Sequence, residues 1–259
     1  MYKLNKQVYT AAERKEFGVK ILVIPDIHLK PWIFDRAEEI LRAGKADRAV
    51  CLMDIADDWE MYFQIGLYEE TYDRAIAFAK AHPETVWCCG NHDISYEWGR
   101  LETGYSPYAE ATVIRKLRKL TEAIGAEMIS FAACIDKVLF SHGGIGDKFV
   151  ERLGKKLGRK LSEEPMANVI EAINTADPEM LWDDDSPLWL RPQYDSVKLF
   201  RGEEYTQVVG HTPVEEITLK RGVISTDVFS TYRDGRQIGE KAFAVVDSET
   251  GTFEKVWVE

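Results

Sequence analysis

Five short apolar runs, spread over most of the chain, constrain its fold more than any other feature. They span residues 19–25, 49–53, 86–89, 137–140 and 205–209. Short runs with almost no polar residues are typical of strands buried on both faces, as in a parallel sheet covered by helices. Residues 34–43 have the apolar spacing of an amphipathic helix, so the chain begins with a strand, helix and strand unit. We therefore predict an α/β fold.

Each run ends in a polar sequence that carries carboxylate, amide or imidazole groups. These sequences are DIH at 26–28, DIADD at 54–58, GNHD at 90–93, SHGG at 141–144 and GHTP at 210–213. A single Asp-x-His would favour an ordinary surface turn, but four of the five histidines of the chain lie in this set. Because α/β proteins present functional side chains at strand ends, we expect these groups to meet in one site.

The donor atoms of this set match the preferences of a particular group of metal ions. Carboxylate and amide oxygens together with neutral imidazole suit Mn²⁺, Fe or Zn²⁺, and the set contains no thiolate that would demand a softer ion. The four cysteines lie instead in apolar runs, where a thiol acts as a small hydrophobe. One shared carboxylate could hold two metal ions together.

Composition and charge narrow the class of protein. The chain has 259 residues, 45% of them hydrophobic, which is enough to bury a large core. We predict an N-terminal arm at 1–18 and a single domain at 19–259. The net charge of −11 argues against binding to duplex nucleic acid or to an anionic membrane, because both require clustered basic residues. No apolar segment has the length of a signal peptide or of a membrane span, so we expect a cytoplasmic protein.

Periodicity and turn residues predict the remaining elements. The predicted helices are 59–81, 108–124 and 165–176, the predicted strand pairs are 127–133 with 137–140, 217–219 with 223–225 and 242–247 with 253–258, and the predicted polar loops are 95–107 and 181–192. The basic segment 148–160 is predicted to be the solvent-exposed face of a helix, with a polyanionic partner as the alternative.

The five polar sequences, in that order and with those gaps, resemble the calcineurin-like metallophosphoesterase superfamily. The resemblance covers residues 24–227. Within the superfamily, Pro213 after a single histidine is similar to the serine/threonine protein phosphatases and the dinucleoside-tetraphosphate hydrolases. The resemblance implies a four-layer αββα sandwich, in which two mixed β-sheets are flanked by helices.

The resemblance also implies a role for each polar residue. Asp26 and His28 would bind one metal ion and Asp54 would bridge to a second, whose further ligands would be Asn91, His142 and His211. Phosphate esters would be hydrolysed by attack of a hydroxide that bridges the two ions, which we expect to be Mn²⁺, with Fe or Zn²⁺ as alternatives. His92 would be the general acid, oriented by Asp57. Asp227 is either a carboxylate acceptor for a ligating histidine or an ordinary turn residue.

Two positions depart from the family pattern. Met53 stands where a glycine is usual, and we expect it to cost little because a strand can end in methionine. Asp58 stands where protein-phosphatase-like members have an arginine that grips phosphate. An aspartate would repel phosphate or require another cation, so a different arginine must provide the contact. We predict Arg191 for this role, with Arg100 and Arg201 as alternatives.

The expected substrate is a phosphate ester, either a phosphoprotein, a nucleotide or a small phosphomonoester. The alternative is a metal-binding scaffold with little or no turnover that recognises a phosphorylated partner. The presence of both His92 and Asp57 favours the enzyme, because a scaffold needs no proton donor. A nucleic-acid phosphodiesterase would need a basic track, which this chain has only at 148–160.

Overall fold

The computed structural model describes residues 18–125, 128–194 and 196–258, so the predicted arm at 1–18 lies outside these ranges apart from Gly18. The helices are α1 (Trp32–Arg42), α2 (Ile65–Ala81), α3 (Asn91–Trp98), α4 (Glu110–Ile124), α5 (Asp147–Leu157), α6 (Met166–Asn174) and α7 (Pro178–Leu181). The strands are β1 (Lys20–Ile24), β2 (Arg48–Cys51), β3 (Val86–Cys88), β4 (Ile129–Ser130), β5 (Ala132–Ile135), β6 (Val138–Ser141), β7 (Thr206–Val209), β8 (Thr218–Lys220), β9 (Val223–Ser225), β10 (Ala242–Asp247) and β11 (Phe253–Trp257).

The first sheet has six strands in the order β11-β10-β1-β2-β3-β4. β1 to β4 run parallel, and the hairpin of β10 and β11 adds to β1 in the antiparallel sense. Residues 21–24 of β1 are fully buried, as expected for a central strand with helices or a second sheet on each face. The carboxyl ends of β1, β2 and β3 therefore lie side by side at one edge.

The second sheet has five strands in the order β5-β6-β7-β9-β8. β6, β7 and β9 are parallel, while the outer strands β5 and β8 pair in the antiparallel sense. Both sheets are thus mixed. Helix α1 packs on β1 of the first sheet and on α2, and α2 packs on α4. Helix α6 packs on β5 of the second sheet and on α5. One continuous apolar core joins the two sheets, which confirms the predicted layered α/β architecture.

Two elements around the GNHD sequence have bounds in the structure that differ from the predicted ones. The helix predicted from residue 59 begins at Ile65, because Glu60 has a left-handed backbone with φ of 60° and Phe63 is exposed instead of forming an apolar face. The predicted polar loop 95–107 begins with helix: α3 starts at Asn91, directly after the extended Gly90, and ends at the left-handed Gly99. Asn91 and His92 therefore lie in the first turn of a helix.

The predicted strand 127–133 is also different, because it is divided between the two sheets. β4 pairs with β3 of the first sheet, and β5 pairs with β6 of the second. Residues 126 and 127 lie outside the described part of the chain.

The basic segment 148–160 forms most of α5. The apolar side chains of this helix, Phe149, Val150 and Leu153, are buried, while its lysines are exposed. In the described ranges, no helix is both long enough and apolar enough to cross a membrane.

Candidate functional site

The two sheets bring the predicted ligands together from five strand ends. Asp26, Asp54 and Asn91 follow β1, β2 and β3 of the first sheet, and His142 and His211 follow β6 and β7 of the second. Asp26, Asp54, Asn91 and His142 are each at most 1% exposed, and His211 is 8% exposed. His28 is partly buried beside them. All six predicted ligands thus lie in one region between the sheets.

Short contacts connect these residues across the two sheets. His142 Nε2 lies 3.0 Å from Asp54 Oδ2 and 3.0 Å from Asn91 Oδ1. The backbone N–H of His211 donates to Asp26 Oδ1 at 2.8 Å. His28 Nε2 lies 3.9 Å from Asp54 Oδ2. Asp54 is therefore central, with His28 on one side and His142 on the other.

Two glycines permit this close approach. A Cβ atom on Gly90 would lie 1.9 Å from Asp54 Oδ1, and one on Gly210 would lie 2.0 Å from Asp26 Oδ2. Neither glycine has a positive φ, so backbone conformation does not require glycine at either position. Glycine is required because a Cβ atom would have no room. The glycines of GNHD and GHTP thus make room for carboxylates that come from other strands.

Several residues of the site have left-handed backbones. His28, Asp54 and His211 have φ values of 41°, 45° and 62°. Met53 has a φ of 58°, so the expectation that methionine costs little here is wrong: this conformation favours glycine, and an L-residue adopts it at a cost of roughly 1–2 kcal/mol. Such strain is concentrated where surrounding structure fixes functional side chains.

Backbone carbonyls orient two of the histidines. His28 Nδ1 lies 2.9 Å from the carbonyl oxygen of Asp57, and His142 Nδ1 lies 3.0 Å from that of Leu52. Each ring therefore directs Nε2 towards Asp54. Asp227 is buried, but its Oδ1 accepts from the backbone N–H of Ser230 at 3.3 Å, and its Oδ2 has no hydrogen-bond partner in the described ranges.

The site fits metal ions, as its unpartnered polar atoms indicate. Asp26 Oδ2 and His211 Nε2 are buried without a hydrogen-bond partner among the described residues, although buried polar atoms normally have one. Two groups of possible ligands share Asp54: one adds His28 and His92, and the other adds His142 and His211. Within each group the donor atoms lie within 4.8 Å of one another. Oxygen and imidazole donors of this kind suit borderline divalent ions.

Burial and neighbouring charges shift the pKa values of the site residues in opposite directions. Burial raises the pKa of Asp26 well above its usual value, and Asp227 adds to the increase. Burial alone would raise the pKa of Asp54, but the positive charges of His142 and His92 outweigh it and lower that pKa. Burial and the charges of His142 and Arg191 lower the pKa of His211 to about 2. His211 is therefore neutral, as a metal ligand must be. Burial alone would lower the pKa of His142, but Asp54 and Asp26 outweigh it and raise the pKa to about 9, so His142 would release a proton on binding an ion.

His92 lies beside the predicted ligands and is held by carboxylates. Its Nδ1 is 3.1 Å from Asp57 Oδ2, and Asp57 Oδ1 accepts from the hydroxyls of Tyr68 at 2.8 Å and Tyr96 at 2.6 Å. Burial alone would lower the pKa of His92, but Asp54 and Asp57 outweigh it and raise the pKa to about 10. Asp57 thus fixes the orientation of the His92 ring and favours its protonated form.

A cavity of about 580 Å³ opens above these residues. Its lining includes Trp59, Arg191 and Arg233. Arg191 donates through Nη1 to the carbonyl oxygen of His211 at 3.1 Å and to Thr212 Oγ1 at 3.0 Å. The guanidinium of Arg233 lies 4.8 Å from the centre of the Trp59 ring.

Of the three arginines predicted to contact phosphate, only Arg191 lines this cavity. Arg100 pairs with Glu179 instead, and Arg201 donates to the carbonyl oxygens of Ser162 and Glu164.

Lys30 provides the cation that Asp58 requires. Its Nζ lies 2.7 Å from Asp58 Oδ2, and Asp58 Oδ1 accepts from Thr231 Oγ1 at 2.8 Å. Both partners of the ion pair are largely buried. The aspartate at the family's arginine position is therefore neutralised by a lysine from the loop after β1.

The sequence placed Asp93 among the polar groups of the site without a role for it, and it gave no sign of Glu102. Asp93 accepts from the backbone N–H groups of Ile55 and Ala56, at 3.1 and 3.3 Å, and from Tyr72, and so holds the loop after β2. Its place directly after GNH was a usable signal. Glu102 Oε2 accepts from Asn91 Nδ2 at 2.7 Å, and burial raises its pKa to about 7. Nothing in the sequence marks Glu102, because it lies in a polar loop.

Comparison with known proteins agrees with this arrangement. The family model described as calcineurin-like phosphoesterase matches residues 19–239. A cold-active protein-tyrosine phosphatase of a psychrophilic Shewanella species has 19% sequence identity and a TM-score of 0.55, over 96% of this chain and 83% of that one. A protein serine/threonine phosphatase from Saccharomyces cerevisiae has 14% identity and a TM-score of 0.56, over 94% of this chain and 81% of that one. Among curated protein sequences, none matches this chain significantly.

The strand ends meet between two mixed sheets and bring carboxylate, amide and imidazole groups to one junction, and the family match places this arrangement in the phosphoesterase class of hydrolases. The chain belongs to the calcineurin-like phosphoesterase family, since the family model spans most of its length. The predicted resemblance and fold class are thereby confirmed.

Proposed function

We propose that this chain is a metal-dependent phosphomonoesterase with a dinuclear site. The observation that carries the proposal is the sharing of Asp54 by two groups of possible ligands beside one cavity, His28 with His92 and His142 with His211. Asp26 is in neither group and is proposed as a ligand because its buried Oδ2 has no hydrogen-bond partner among the described residues. His92 is assigned to proton transfer instead. Asp26 and His28 would hold one ion, and Asn91, His142 and His211 the other. We propose Mn²⁺ first, with Fe or Zn²⁺ as alternatives. Ions held there would supply positive charge for the phosphate and an acidified water for attack.

The chain's own residues would complete the reaction. Asp57 fixes the ring of His92 and favours its protonated form, so His92 can give a proton to the departing oxygen of the ester. Arg191, held by His211 and Thr212, has guanidinium N–H groups left to donate to a phosphate oxygen. Lys30 keeps Asp58 from repelling the phosphate.

The substrate class that we propose is a phosphomonoester, as part of a phosphoprotein, a nucleotide or a small molecule. The two phosphatases of similar fold are named as protein phosphatases, which supports a single phosphate ester as the group that is recognised. The alternative is a metal-binding scaffold of little or no turnover that binds a phosphorylated partner. It would need the same ligands but not His92.

A phosphatase assay with the metal-loaded protein tests the proposal. With a chromogenic phosphomonoester and added Mn²⁺, His92→Ala should lower kcat by about 10²- to 10⁴-fold, because the leaving group loses its proton donor. The Mn²⁺ content of the variant should equal that of the wild type. Equal and negligible activity in both proteins, with nucleotides and phosphopeptides as well, would favour the scaffold.

A further inference from the structure

Glu102 lies at the edge of the site and contacts Asn91, a predicted metal ligand. Its side chain is 7% exposed. Oε2 accepts from Asn91 Nδ2 at 2.7 Å, and Oε1 lies 3.5 Å from His92 Nδ1. Gly104, two residues further on, has a φ of 93° and would place a Cβ atom 3.4 Å from His92 Cε1, so the loop lies beside the His92 ring.

An asparagine ligand can bind a metal ion only through its amide oxygen. The two ends of the amide have nearly the same shape, so a neighbouring group must select which end faces the ion. An ionised carboxylate can accept a hydrogen bond but cannot donate one. Glu102 therefore requires the NH₂ group of Asn91 on its own side, and this leaves Oδ1 facing His142 at 3.0 Å.

We propose that Glu102 is a positioning residue, which fixes the amide of Asn91 so that its oxygen faces the second metal ion. The proposal rests on the proposed dinuclear site. It assigns no contact between Glu102 and metal or substrate: Glu102 acts only through the orientation of Asn91. Groups that orient metal ligands in this way typically contribute about 10- to 100-fold to metal affinity.

Mn²⁺ binding to the metal-free protein, measured by isothermal titration calorimetry at pH 8.5, tests the proposal. Glu102→Ala should weaken Mn²⁺ binding by about 10- to 100-fold, because the amide is free to turn its NH₂ group towards the ion. Glu102→Gln should retain most of the affinity, since its amide oxygen can still accept from Asn91. Thermal unfolding of each metal-free variant checks that it is folded.

The same substitution in an N91D background distinguishes an orienting role of Glu102 from an effect of its negative charge. In N91D the side chain has two equivalent oxygens, so no neighbour is needed to select one, and Glu102 would only repel it. Glu102→Ala should therefore strengthen Mn²⁺ binding in the N91D background. Equal weakening in both backgrounds, or no weakening in the wild-type background, would overturn the role of Glu102 while leaving the proposed function intact. A wild-type protein that binds no Mn²⁺ would overturn both.

Discussion

Arg191 reaches the cavity because two oxygens of the GHTP turn hold its guanidinium. The carbonyl oxygen of His211 and the hydroxyl of Thr212 both accept from Nη1, so the remaining N–H groups are available to a ligand. Arginine is well suited to phosphate, since its planar fork can donate two parallel hydrogen bonds. At the scale of single residues, Arg191 is the main candidate for substrate recognition.

Replacement of Arg191 should weaken catalysis without removing the metal ions. Arg191→Ala should lower kcat/KM by roughly 10- to 150-fold, because a hydrogen bond to a charged group contributes about 1.5–3 kcal/mol. Arg100→Ala is the matched control: its partner Glu179 is exposed, and it should leave kcat/KM unchanged. Steady-state kinetics and metal analysis of both variants check this. An equal loss in the two variants would exclude the specific role of Arg191.

The histidines of the site were predictable from sequence, whereas the groups that orient them were not. Each histidine follows an apolar run, and that pattern is visible in the chain. The oxygens facing His28 and His142 are backbone carbonyls, which every residue has, so no side chain reveals them. The strain at Met53 was missed for a similar reason, because a residue name does not show its φ.

At the scale of elements, the junction of β3 and α3 sets the geometry of the site. The strand ends at Cys88, Gly90 continues in an extended conformation, and Asn91 and His92 then begin the helix. The backbone N–H of His92 donates to Asp54 Oδ1 at 2.9 Å. The junction therefore presents two predicted site residues and binds a third in the loop after β2.

Two glycine-to-alanine variants test this junction. Gly90→Ala should displace Asp54 and abolish tight Mn²⁺ binding, because its Cβ would lie 1.9 Å from Asp54 Oδ1. Gly66→Ala, in the first turn of α2, has nothing within 4 Å and should stabilise the fold by about 0.5–1 kcal/mol. Calorimetric Mn²⁺ titration and urea unfolding measure the two effects. Normal Mn²⁺ binding by Gly90→Ala would show that the junction can adjust.

Element types were predicted better than element bounds. The apolar runs gave the central strands, because burial on both faces leaves a continuous pattern. The start of α2 was missed, since Trp59 and Phe63 have helical spacing but Glu60 adopts a left-handed backbone. The division between β4 and β5 was missed because it depends on which sheet each residue joins, and local sequence does not encode this choice.

At the scale of the whole molecule, the site joins the two sheets. Asp26, Asp54 and Asn91 come from the first sheet, and His142 and His211 from the second. Any ion bound to both sets would connect the sheets. The unfolded chain cannot hold these groups together, so binding should stabilise the native state by mass action.

Removal of metal should therefore lower the melting temperature. At Mn²⁺ concentrations about 100-fold above Kd, the gain is about 2.7 kcal/mol, which corresponds to roughly 5–10 °C in a chain of this size. Scanning calorimetry with Mn²⁺ and with chelator measures the difference. Asp54→Asn, which lacks the shared carboxylate, should show a much smaller shift. Shifts of the same size in both proteins would place the stabilising ion elsewhere.

The hydrogen bond between Asp26 and the backbone of His211 joins residues that are 185 positions apart. Its formation requires that β7 has docked beside β6, long after β1 has left the ribosome, and β1 itself is completed by the late strand β10. Ions held by groups from both sheets, as in the proposed site, would therefore be captured late in the life of a nascent chain, after β7 has been made. Their loading would then be a step of maturation that follows the assembly of the second sheet.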